Sequence, residues 1–218
     1  MCEPVFSTRV SIKWESDPKP HEPTSTWVFT AGNEEFVDTR INLASSTPDW
    51  LITGYEKALA TKAGYESTIM FCHALDNLCK PGEMPGADVG HFKNIAGSSD
   101  RLEEGAMMNP DIGKNMEYQE VWRTLDPIHS TVSDLKPLGV STKHVENQVW
   151  KLEDSKGAFI KIGEFSQGVA VNAKNEYQCI RLFKQEVVYQ YGNESYRIFA
   201  PFITGHLKQS NWVKTFQG

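Results

Sequence analysis

No apolar stretch in this chain approaches the roughly 18 to 20 residues that a membrane-spanning helix needs. Basic runs are equally scarce. The net charge of −6 is spread along the sequence, with no lysine or arginine cluster to neutralise phosphates. Binding to nucleic acid or to an anionic membrane surface is therefore not expected. Cys2, Cys72, Cys79 and Cys179 form no C-x-x-C pair, and their scatter suits free thiols better than a disulfide framework. The N-terminal stretch lacks a basic segment followed by an apolar core, so it does not read as a secretory signal and a cytoplasmic setting is expected. The six histidines are dispersed and H-E-x-x-H is absent, which leaves a metal site without support. There is no glycine-rich phosphate loop and no G-x-S-x-G elbow. Nucleotide cofactors and serine-hydrolase chemistry are therefore disfavoured, and no cofactor is expected.

Short β-branched and aromatic runs are abundant. Val10–Trp14, Ser25–Thr30, Phe36–Leu43, Asp49–Thr53 and Ser67–Asp76 read as strands, and turn clusters separate several of them. Gly54–Gly64, between the last two, can be read as a helical turn or two, because alanine, leucine and lysine favour helix. Pro81–Gly97 is rich in glycine and proline and reads as a loop, long enough for a lid or a mobile rim. Arg101–Pro127 reads as two strands around the turn Asn109-Pro110-Asp111-Ile112-Gly113. Strands resume at Gln148–Asp154, Ala158–Val171, Tyr177–Lys184, Val187–Tyr191, Ser195–Ala200 and Asn211–Phe216. Many short strands at intervals of about 8 to 12 residues predict an all-β, antiparallel sandwich or barrel. The Pro-, Ser- and Gly-bearing segment Asp126–Ser141 marks a boundary between units spanning residues 1–127 and 128–218.

FVDTR (Phe36–Arg40), EEGAMMNPDIGKNMEYQEVWR (Glu103–Arg123), WKLED (Trp150–Asp154) and IGEFSQGV (Ile162–Val169) carry a resemblance to a known family. The chain resembles fungal proteins with lipocalin-like barrels, whose budding-yeast member is named as a partner of a casein-kinase-1 homologue. The weaker similarity runs from Trp14 to Trp212. The resemblance implies two calycin-type β-barrel units and a possible protein kinase partner, but no reaction. Around Met70–Asn77 the family pattern leads one to expect a Trp-rich strand, whereas this chain has Cys72 and His73. Some lipocalin-like cyclases of fungal secondary metabolism use a barrel pocket without cofactor. By analogy of fold alone, such a pocket here would hold a hydrophobic small molecule and dehydrate, isomerise or cyclise a polyketide or terpenoid intermediate; the alternatives are a non-catalytic kinase-interacting protein or a lipid or metabolite carrier.

Strand alternation selects the candidate residues. Tyr118, Glu120 and Trp122 share one face, so Glu120 is a general acid raised by burial, a charge paired with an arginine across the sheet, or a rim position facing water. His73 shares a face with Ile69, Phe71 and Leu75, as a general acid or base or as a core histidine with one hydrogen bond. Asp38 and Arg40 sit two apart on one face, either as an ion pair or with Arg40 orienting a ligand. In the catalytic reading His73 and Glu120 are the acid/base pair. Arg40 and Tyr118 then polarise a carbonyl or phenol, with Asp38 beside them, and Phe71 and Trp122 shape the cavity.

Overall fold

A computed structural model describes residues 2–80, 83–109, 112–139, 141–154 and 156–218. Pro110 and Asp111 of the expected turn lie outside the described residues. The N-terminal unit is a closed antiparallel barrel in which each strand pairs with the next in sequence and the last with the first. Its strands are β1 (Val5–Trp14), β2 (Thr24–Thr30), β3 (Glu35–Asn42), β4 (Pro48–Ala58), β5 (Ser67–Asp76), β6 (Ala87–Asn94), β7 (Arg101–Asn109) and β8 (Lys114–Thr124). Eight strands leave an interior just wide enough for side chains or one small ligand. Register shifts at Arg9/Ser11, Arg40/Ile41 and Thr53/Gly54 supply the local bends that closure needs.

The second unit contains β9 (Asn147–Leu152), β10 (Gly157–Ile162), β11 (Phe165–Val171), β12 (Tyr177–Phe183), β13 (Glu186–Tyr191) and β14 (Trp212–Gln217). These form a six-stranded sheet in the order β13-β12-β11-β10-β9-β14, so the all-β antiparallel expectation holds but the second unit is an open sheet, not a second closed barrel. Its strands alternate between two apolar layers. Val149, Ile160, Val169 and Cys179 pack with Phe6, Trp27, Phe29 and Val37 of the barrel. Trp150, Phe159, Ile180 and Leu182 pack instead with Phe199 and Phe202 of the helix α1 (Ser195–Thr204).

Three local expectations change. Ser195–Ala200 is helix, not strand: Ile198, Phe199, Phe202 and Ile203 form one apolar stripe at helical spacing, closed by Gly205 at φ 76°. The loop expected at Pro81–Gly97 contains β6, and Pro81 and Gly82 lie outside the described residues. The helical option at Gly54–Gly64 is excluded, because β4 runs through to Ala58 and leads into coil and turn. Among the described residues no helix is long and apolar enough to cross a membrane.

β3 is buried on both faces, since it lies between the barrel interior and the second sheet. Phe36, Asp38 and Arg40 point inward, while Val37, Thr39 and Ile41 face the sheet. Arg181 of β12 fastens the two layers. Its guanidinium donates to Thr39 Oγ1 and O at 2.8 and 2.6 Å and to Ser25 Oγ and O at 2.9 and 2.7 Å, and it lies over the Trp27 ring. Burial lowers its pKa to about 10. Gln167 of β11 adds bonds from Nε2 to the carbonyls of Trp27 and Val37.

Candidate functional site

The barrel encloses a cavity of about 110 Å³. Asp38, Arg40, Phe71, His73, Tyr118, Glu120 and Trp122 all line it, together with Phe36, Phe92 and Glu103. Period-two alternation on β3, β5 and β8 is what turns them all to the same interior. They are not, however, joined into one cluster.

Glu120 is held by two arginines. Arg9 Nη1 donates to Glu120 Oε1 at 2.5 Å, and Arg9 Nε donates to Glu22 Oε2 at 2.7 Å. Arg40 Nη1 lies 3.5 Å from the same Glu120 oxygen, while its Nε donates to Asp38 Oδ2 at 2.9 Å. The Arg40 guanidinium also sits over the rings of Trp50 and Trp122, at 4.7 and 5.9 Å. Both pairings match the structural alternatives weighed from sequence, an arginine across the sheet for Glu120 and an ion pair for Asp38 and Arg40. Burial raises the Asp38 pKa against the pull of Arg40, and among the described residues Asp38 Oδ1 has no hydrogen-bond partner.

A second carboxyl group faces Glu120 directly. Glu103 of β7 is its cross-strand partner, and like charges in that position repel. Burial, reinforced by Glu120, raises the Glu103 pKa to about 8, so it is mainly neutral at pH 7. The Tyr118 hydroxyl donates to Glu103 Oε1 at 2.7 Å. Glycines make room for this pair. A Cβ on Gly90 would collide with the Glu103 carboxyl, and one on Gly105 would lie 2.6 Å from the Tyr118 oxygen. Gly90 and Gly105 are themselves cross-strand partners on β6 and β7.

The family model described as Protein HRI1 matches residues 5–217. The chain belongs to the HRI1 family. That bears out the sequence resemblance at the level of the family. Among solved structures, the chain is similar to the uncharacterized protein YLR301w from Saccharomyces cerevisiae, with 22% identity and a TM-score of 0.73. The alignment covers 90% of this chain and 89% of that one, and at this identity it speaks for the fold alone. No curated protein matches.

In this HRI1-family barrel His73 belongs to a different group from Glu120. Its Nδ1 lies 3.0 Å from Asp76 Oδ2 and its Nε2 lies 3.2 Å from Asp88 Oδ2. Trp50 Nε1 donates to Asp76 Oδ1 at 2.8 Å, and the Asp76 backbone N–H donates to the Tyr177 hydroxyl on β12. Burial alone would lower the His73 pKa, yet the bonds to Asp76 and Asp88 raise it to about 9. At neutral pH His73 is thus an imidazolium with both nitrogens occupied, which suits a strut better than a base. A histidine raised from 6.5 to about 9 contributes stability that is complete below pH 6.5 and lost as pH rises through 9. We expect His73→Gln to be destabilised by on the order of 2 kcal/mol at pH 6, with the difference from the parent shrinking toward pH 10. Unfolding curves across that range check this, and a pH-independent difference would refute the charged assignment.

Three members of the site were missed from sequence. Glu103 was readable in principle, because numbering back across the Asn109–Lys114 turn places it opposite Glu120. Arg9 and Glu22 carry no local signal, since the bond from Arg9 to Glu120 spans 111 positions of sequence.

Proposed function

We propose that the barrel is a binding cavity for a small, partly apolar molecule that also forms hydrogen bonds. The observation that carries this is the convergence of Phe36, Phe71 and Phe92 with ionisable groups on one cavity. Small-molecule sites combine apolar walls with a few placed polar groups in this way. Size limits the ligand. The cavity of about 110 Å³ is nearer to the roughly 150 Å³ that admits benzene than to the ~300–1,000 Å³ of drug-sized pockets.

The more specific reading is cofactor-free dehydration, isomerisation or cyclisation of a polyketide or terpenoid intermediate. It is favoured by Glu103, a carboxylic acid that is largely protonated at pH 7 and so can donate a proton beside the carboxylate of Glu120. Glu103 replaces His73 as the preferred acid in this reading. The cavity volume favours a molecule smaller than those intermediates.

The test is a backbone-amide NMR titration with benzene-sized fragments. Shifts are expected on the strands that carry Phe71, Phe92 and Met107, and Ile69→Trp, which fills the cavity from its wall, should abolish them. Shifts confined to the outer surface, or persisting unchanged in a folded Ile69→Trp variant, would overturn the proposal.

A further inference from the structure

The cavity-lining arginines differ in how their charge is met. Arg40 is paired with Asp38 and Glu120, and Arg9 behind it is paired with Glu22 and Glu120. Arg101 of β7 also lines the cavity, stacked 4.7 Å over the Phe92 ring, but among the described residues it has no carboxylate within 4.0 Å. Its neighbours extend the pattern. Trp122, the cross-strand partner of Arg101, is 9% exposed, and its indole N–H turns toward the Glu103 carboxyl group. One step further round, Ser7 and Thr124 face each other across β1 and β8. Both line the cavity, and among the described residues neither hydroxyl makes a hydrogen bond. A guanidinium and two hydroxyls thus lie together on three adjacent strands with no carboxylate in direct contact among the described residues.

The nearby carboxyl groups do not supply those acceptors. Glu56 accepts from the Thr30 hydroxyl and feels Arg101 through space, but it makes no ion pair with it within 4.0 Å. Glu103, two residues along β7 from Arg101, is largely protonated at neutral pH. The Arg101 fork therefore has no carboxylate oxygen in direct contact among the described residues. An arginine fork with adjacent O–H donors matches the two oxygens of a carboxylate, and charge-assisted bonds of this kind are the strong ones. Beyond the donors lie Phe36, Phe71 and Phe92, which form a T-shaped series with centroid separations of 5.9 and 6.3 Å.

We propose that the ligand of this cavity is a small amphipathic monocarboxylate. Its carboxylate pairs with Arg101 beside Trp122, Ser7 and Thr124, and its apolar body lies against Phe36, Phe71 and Phe92. This deepens the binding-cavity reading and rests on it.

Three probes of similar size separate the two ideas: benzoate, benzyl alcohol and benzylamine, each titrated into the intact protein by calorimetry and amide NMR at pH 7. Benzoate is expected to bind about tenfold or more tightly than benzyl alcohol, the margin of one charge-assisted pair. Arg101→Gln should reduce benzoate to the level of benzyl alcohol, and Arg101→Lys should recover part of the loss by restoring the charge without the fork. Equal affinity for benzoate and benzyl alcohol, or a preference for benzylamine, would sink the carboxylate assignment and leave the binding cavity standing. Failure of all three probes to shift any cavity residue would overturn both. A melting temperature for each variant separates lost binding from lost fold.

Discussion

Arg9→Ala is expected to destabilise the protein by about 3–5 kcal/mol, the cost of leaving a buried carboxylate without its main partner. The Arg9 side chain is 3% exposed, as is that of Glu120, so water cannot replace the lost guanidinium without opening the barrel. Arg40 remains, but its approach to Glu120 is 3.5 Å against 2.5 Å for Arg9, and it is already committed to Asp38. Denaturant unfolding at pH 7 measures the loss. The double variant Arg9→Ala/Glu120→Gln should regain part of it, because removing the charge removes most of the penalty that the single change creates. A loss below about 1 kcal/mol, the range of exposed pairs, would mean that the network is solvated.

Glu103→Gln should act in the opposite direction and only over part of the pH scale. The folded protein keeps the Glu103 proton up to about pH 8, whereas the unfolded chain releases it near 4.5. Between those values the native state binds more protons than the unfolded state, so stability falls as pH rises. The cost is absent below pH 4.5, grows through neutrality and levels off above pH 8. Glutamine keeps an acceptor for the Tyr118 hydroxyl and has no proton to lose. The variant should therefore gain on the order of a few kcal/mol at pH 8 to 9 and match the parent near pH 4. Its effect begins two pH units below the window of His73, so the two residues can be separated by their profiles. A variant that is weaker by the same amount at every pH would show that packing, not the proton, dominates at this position.

Local alternation made the inward face legible. Asp38 and Arg40, Phe71 and His73, and Tyr118, Glu120 and Trp122 each occupy one face of one strand, and a period of two is visible without knowing what lies opposite. What lies opposite was less accessible. Glu103 becomes the partner of Glu120 only when the hairpin register is counted across its turn, and Arg9 meets Glu120 only when β1 closes against β8. The chemistry assigned to His73 depended on Asp88, which sits in a segment whose glycines and prolines read as loop. At the other end of the chain, the aromatic and β-branched content of Ser195–Ala200 suggested a strand. The i, i+1, i+4, i+5 spacing of Ile198, Phe199, Phe202 and Ile203 carries the helical period, which shows only over a window longer than Ser195–Ala200.

The fastening of the sheet to β2 and β3 through Arg181 and Gln167 divides the barrel into two halves with different opening costs. Separating β2 from β3 exposes Trp27, Phe29 and Val37 and breaks the bridge of the Arg181 guanidinium, which makes two hydrogen bonds to Ser25 on β2 and two to Thr39 on β3. Parting β6 from β7 exposes little that is apolar on the outer side, where Leu102 and Glu104 are half-buried and Ala106 and Met108 are exposed. Local opening follows the cheaper seam. Amide hydrogen exchange is therefore expected to be faster in β6 and β7, the strands that carry Phe92, Arg101 and Glu103, than in β2 and β3.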